Sequence, residues 1–233
     1  ADIIIMSLGS PMWSEGMAAE LNHALSEDGN VTAAYIAVGN SHHTTRFVSS
    51  PADADGVIGV TATNITNASS ARKASFANTG PDSGVDGSGG QTHGEVPDTA
   101  AVGMKITAPV WDDAYTDGGV IRDRELSGTS MAAPIAAGAG ALVLEAKPDL
   151  KGDSEAFAEL VVNSGSHTPH IGVTESRGGM ANASRAIDGY SGADAPDRDL
   201  TDETTGRDAA NRVLVGDVGI KLTALAEGWG SLR

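Results

Sequence analysis

The residues Ser127 to Pro134 (SGTSMAAP) open a long run of small apolar residues that reads as a helix. A serine in the first turn of a helix has unpaired backbone N–H groups beside it and the positive end of the helix dipole behind it. Donors placed in this way can stabilise an oxyanion on a carbonyl that the serine attacks. Gly128 would let a substrate backbone come close. The same serine could instead cap the helix by accepting a backbone N–H. By residue type alone, Ser130 is either a cap or a nucleophile.

A serine hydroxyl attacks only when a base takes its proton. The candidate imidazoles are His23, His42, His43, His93, His167 and His170. His23 falls on an amphipathic helix and is expected at the surface. The pair His42-His43 follows Asn40 and reads as a surface loop or a cleft rim. A His-His pair can bind a metal, yet no carboxylates at ligand spacing accompany it. His93 lies in a Gly-rich loop, and His167 and His170 lie in a loop after the apolar helix. None of the six is expected to be the base. Gly152-Asp153-Ser154 resembles the start of an esterase motif, but it precedes a helix, where Asp153 or Ser154 is read as a cap. No Gly-x-Ser-x-Gly elbow is present, which argues against an esterase on another α/β fold. Asp-rich loops leave calcium binding possible, although none has EF-hand spacing. No other cofactor is implied.

Around these residues the chain alternates strand and helix. Asp2 to Leu8 (DIIIMSL) is a continuous apolar run, as expected for a strand buried on both faces. Ser14 to Leu25 has helical spacing, with Ser14 as its cap. Val31 to Val38, Val57 to Ala62 and Met104 to Ala108 read as further strands. Met131 to Lys147 reads as a helix that is apolar almost all round and therefore buried. Ser154 to Asn163 and Asn182 to Ile187 read as helices. The stretches 77–99 and 111–125 read as loops, 191–208 as a linker, and 212–226 as an unplaced apolar element. This order points to an α/β fold with a mainly parallel sheet.

The 233 residues suffice for one domain with a real core. The net charge of -16 argues against nucleic acid and anionic membrane as partners. Asp supplies most of the acid and only five residues are Lys, a balance found in proteins of salt-loving organisms and also in ordinary acidic secreted ones. Without cysteine there are no disulfides, thiolate metal sites or Cys nucleophile. No apolar run approaches the ~20 residues of a membrane span. The chain opens without Met in a buried strand, as expected of a fragment or a processed form.

Together GTSMAAP and the AAGAGALVL that follows resemble the serine signature of the subtilisin-like serine proteases. Other segments agree in order. MSLGS (6–10) resembles the strand that binds extended substrate, and YIAVGN (35–40) the segment whose Asn supplies an oxyanion donor. SSPADADGVIGVTATN (49–64) resembles the stretch after the S1 pocket, and ASFANTGP (74–81) and RGGMANASRAI (177–187) resemble later family elements. KITAPV (105–110) departs from the family by placing Val110 where a glycine is usual.

The resemblance covers residues 1–190, as a partial peptidase domain, and leaves 191–233 as an acidic linker or tail. It implies a three-layer subtilisin-like fold with its N-terminal part missing. It implies a secreted serine endopeptidase acting on protein or peptide substrates through an Asp-His-Ser triad. Ser130 would be the nucleophile and Asn40 would share the oxyanion hole with the Ser130 N–H. Ser7, Leu8, Gly9, Ala37, Val38, Gly39 and Ser49 would contact substrate, with Ser49 near the floor of a pocket for a sizeable apolar side chain. In the family order Asp and His precede Ser, so both are expected upstream of Ala1, and this chain alone is expected to be inactive. The alternative is a non-catalytic subtilisin-like binding or structural domain of a larger secreted protein.

Overall fold

The structure, a computed structural model, describes residues 1–189 apart from 27, 46, 65–69, 81–95 and 113–119. His93, most of the loop at 77–99 and the whole of 191–233 lie outside the described residues.

Four strands form a parallel sheet in chain order: β1 (Ile3–Met6), β2 (Ala33–Ala37), β3 (Ile58–Thr63) and β4 (Thr99–Val102). The register runs Met6 opposite Ile36, Ala37 opposite Val60, and Ala62 opposite Ala101. Helix α1 (Glu15–Leu25) covers one face. There Leu21 and Leu25 pack with Ala34, Ile36 and Val38. Helices α2 (Thr129–Ala146), α3 (Ser154–Asn163) and α4 (Ala183–Asp188) cover the other face, over Ala33, Tyr35, Ala37, Val60 and Ala62. The alternating side chains of β2 therefore feed two cores, and all five of its residues are buried, as a central parallel strand requires. The three-layer α/β expectation holds.

Several local expectations do not. The first strand is not buried on both faces: β1 is an edge strand and Ile5 is 48% exposed. An apolar run reads alike in the centre and at the edge of a sheet, because only pairing separates the two. The segment 104–108 does not join the parallel sheet. Its described strand, β5 (Ile106–Asp112), pairs antiparallel with β6 (Val120–Leu126), which lies in the stretch read as a loop. The fourth parallel strand is instead Thr99-Ala-Ala-Val102, too short and too small-sided to give an apolar signal. Ser14 heads α1 but makes no side-chain capping bond. Asp153 does cap α3, accepting from Ala156 N at 3.0 Å.

Among the described residues α2 is the one helix long and apolar enough to cross a bilayer by length and composition. Its small face (Ala132, Ala133, Ala136, Ala137, Gly140) lies on the sheet, where large side chains would not fit. Its far side is open, with Ile135 42% and Leu142 56% exposed, so the expectation of burial all round is corrected. Gly140 shows how tight the inner face is. A Cβ there would stand 2.2 Å from the hydroxyl oxygen of Tyr35, a buried ring whose phenol is pushed well above its ordinary pKa by burial. Gly140→Ala is expected to lower stability by roughly 1 kcal/mol net, overpacking outweighing the gain in helix propensity. Tyr35→Phe in the same chain should recover part of that loss in denaturant unfolding, since the nearest clashing atom is gone.

Candidate active site

The carboxyl ends of β1, β2 and β4 and the start of α2 meet at one place, the usual location of sites in open parallel sheets. The chain enters it from β6, and Gly128 N bonds to Gly103 O at 2.7 Å. Gly128 is the residue before α2, so Ser130 lies in the second helical position and does not cap the helix. Its hydroxyl, half-buried, donates to Ser7 O at 3.3 Å, and Ser7 Oγ donates back to Ser130 O at 2.8 Å. These bonds clasp the first turn of α2 to the end of β1.

Asn40 stands beside this turn at the end of β2. Its Oδ1 accepts from Thr129 N at 2.8 Å and from Thr129 Oγ1 at 3.0 Å. Two donors on one atom fix the orientation of the amide. The Nδ2 donors are left free among the described residues, as is the Ser130 N–H, which belongs to the unpaired first turn. A Cβ built on Gly128 would lie 3.4 Å from Asn40 Nδ2 and 3.7 Å from Ser130 N. Two unspent donors thus lie within 4 Å of one point beside the serine, with Met131 Sδ 3.4 Å from the same point. They can hold a single oxygen atom that gains negative charge.

Ser7, Leu8 and Gly9 run on from β1 beside the end of β2. Leu8 is 49% exposed, and Ser49 lies beneath the strands. A Cβ on Gly9 would come within 3.1 Å of Ser49 Cβ, and one on Gly39 within 2.5 Å of Ser49 Oγ. Gly39 also has φ +104, which disfavours any side chain. Ser49 is therefore buried close against the two glycines, neither of which leaves room for a side chain. Ala37 and Val38 are buried in the two cores, and Val38 O is engaged by Ser49 N at 2.9 Å. Their side chains line the interior rather than the cleft. Asn78, which the sequence reading quoted within a motif but gave no role, donates from Nδ2 to Ser49 Oγ at 3.2 Å.

The only hydrogen bond of the Ser130 hydroxyl among the described residues is the one to Ser7. No imidazole among the described residues bonds to it. His23 is exposed in the last turn of α1. His42 and His43 stack edge to face at 5.9 Å, with His42 N donating to Phe76 O. His167 stands near Gly179, and exposed His170 donates its N–H to Thr168 Oγ1. The buried carboxylate of Asp98 accepts from Gly59 N at 2.7 Å and pairs with Arg177. Burial pushes its pKa up and the Arg177 guanidinium opposes the shift. With both oxygens engaged, it acts as a structural tie between β3, the start of β4 and the turn at 176–180. Among the described residues no group of three or more His, Cys, Asp or Glu could hold a metal ion.

A sequence model of the subtilase family matches residues 1–198. No curated protein matches. Among solved structures, a protease from Pseudoalteromonas arctica PAMC 21717 is 22% identical, with a TM-score of 0.59 over 81% of this chain and 51% of its own. Fervidolysin from Fervidobacterium pennivorans, described as a keratinolytic enzyme related to subtilisin, is 21% identical, with a TM-score of 0.60 over 82% of this chain and 27% of its own. A cold-adapted subtilisin-like serine proteinase is 23% identical, with a TM-score of 0.51 over 77% of this chain and 52% of its own. The chain spans about half the length of the first and third of these, and all three share its fold. With the serine signature at the head of α2, two donors converging beside it and a family match over most of its length, the chain belongs to the subtilase family of serine proteases.

Proposed function

We propose that the protein carrying this chain is a serine endopeptidase in which Ser130 is the nucleophile and the Ser130 N–H and Asn40 Nδ2 form the oxyanion hole. The observation that carries this reading is the convergence of those two free donors on the space beside Gly128. An extended peptide would lie along Ser7, Leu8 and Gly9, with one side chain directed toward Ser49. Ser130 Oγ would attack the scissile carbonyl while its proton passes to an imidazole. The carbonyl oxygen would gain charge between the two donors. The leaving amine would take the proton as the C–N bond breaks, and water would then release the acyl group by the same route.

The imidazole and the aspartate that orients it are assigned to a segment outside this chain, N-terminal to it in the longer protein. Three observations support that assignment. No described histidine reaches Ser130. The matched proteases in which it spans about half extend well beyond it. The free edge of β1 and the open side of α2 expose Ile5, Ile135 and Leu142, apolar side chains suited to packing against another part of the fold. Secretion is part of the same reading, since subtilases are commonly secreted.

The test is reaction with a fluorophosphonate probe. The chain alone is expected to stay unlabelled and without turnover of casein. The same chain expressed with its upstream coding sequence is expected to label at Ser130. If the longer protein also stays unlabelled, the catalytic reading fails and a non-catalytic binding or structural role takes its place.

A further inference from the structure

We propose that Asn78 is a positioning residue for the oxyanion hole, holding Asn40 at its working place and tying it to the floor of the cleft. This rests on the roles proposed above for Ser130 and Asn40. Asn78 lies between β3 and β4 and is fully buried. Its backbone N–H donates to Gly39 O at 3.0 Å, and its Oδ1 accepts from Ser41 N at 2.8 Å. One residue therefore grips the chain immediately before and immediately after Asn40. Its Nδ2 donates to Ser49 Oγ at 3.2 Å. Gly39 packs straight onto the amide, since a Cβ there would fall 2.6 Å from Asn78 Nδ2.

The division of labour follows from these contacts. Thr129 orients the Asn40 side chain and also accepts from Gly39 N–H at 3.3 Å, while Asn78 bonds to the backbone on both sides of Asn40. As found, the Asn78 amide accepts from Ser41 N–H at its oxygen and donates to Ser49 Oγ at its nitrogen, and the serine hydroxyl, which donates as well as accepts, can also bond to an acceptor there. A donor displaced by about 1 Å from a developing oxyanion loses much of its effect, on the order of a hundredfold in rate. Asn78 should therefore act on kcat through Asn40, without touching substrate.

A double-mutant cycle on the protein expressed with its upstream sequence tests this, using a peptide p-nitroanilide. Asn78→Ala is expected to lower kcat by about tenfold to a hundredfold, with little change in KM. In an Asn40→Ala background the same change is expected to cost almost nothing more, because the donor it positions is already gone. Asn78→Asp keeps an acceptor for Ser41 N–H and can accept a proton from the Ser49 hydroxyl. It is expected to unfold at lower denaturant because it buries a charge, yet to keep kcat within about threefold of the parent. That split between stability and rate also carries the test should Asn78→Ala fail to fold. Equal losses from Asn78→Ala with and without Asn40, or a fall in kcat for Asn78→Asp that tracks its lost stability, would overturn the proposal. If Asn40→Ala itself leaves kcat unchanged, the oxyanion reading is what has failed, and the role of Asn78 falls with it.

Discussion

Ser130→Ala is expected to lower kcat of the complete protease by about 10⁶-fold, a size known from removing the serine in subtilisin itself. A methyl group cannot form the acyl bond, so covalent catalysis is lost outright. Binding and oxyanion stabilisation would remain and leave about 10³- to 10⁴-fold over the reaction in water. The fold should hardly register the change. The hydroxyl makes a single 3.3 Å bond to Ser7 O, whereas the clasp from Ser7 Oγ goes to the Ser130 carbonyl and survives. Stability should fall by about 1 kcal/mol or less. Steady-state kinetics paired with denaturant unfolding checks both halves. A variant with substantial remaining turnover would show that the nucleophile lies elsewhere.

Asn40→Ala should be the next largest effect, a fall of about 10²- to 10³-fold in kcat with KM nearly unchanged. The donor matters only once the carbonyl oxygen has become an oxyanion, so ground-state binding is spared. Gly128→Ala offers an independent check of the same geometry. Its φ of 167 is extended backbone that alanine adopts freely, so no strain accompanies the change. The new methyl would occupy the point 3.4 Å from Asn40 Nδ2 and 3.7 Å from Ser130 N. A loss of kcat comparable to that of Asn40→Ala is expected from a protein as stable as the parent. If Asn40→Ala and Gly128→Ala both retain full kcat, the oxyanion is held by other donors.

The two variants also show where local sequence stops being informative. That a serine heads a helix, that a glycine precedes it and that small residues follow are all local facts, and they were legible. The helices at 14–25, 154–163 and 182–187 were legible to within a residue or so, because apolar spacing and caps act over a few residues. The strand at 99–102 was not, because four short residues carry little hydrophobic signal even when three of them are buried. The hairpin of β5 and β6 was missed for a related reason. Its second strand, Val120–Leu126, is rich in charge, and its pairing depends on β5, a separate segment of the chain.

The family was determined by the sequence itself, and the proposal of Ser130 as nucleophile rests on the same local record, since GTSMAAP is a contiguous motif. The contacts behind the proposed oxyanion hole were decided only in three dimensions. Asn40 and Thr129 are 89 positions apart, and Ser7 and Ser130 are 123 apart. An asparagine after a glycine is chemically an ordinary turn residue. In the proposed site it serves as a directed donor because Thr129 occupies its oxygen and Asn78 bonds to the chain on both sides of it. The edge position of β1 and the open side of α2 were likewise settled by what packs beside them. Hydrogen bonds and burial across such separations depend on where the sheet brings the chain together, and residue order along one segment holds no record of that.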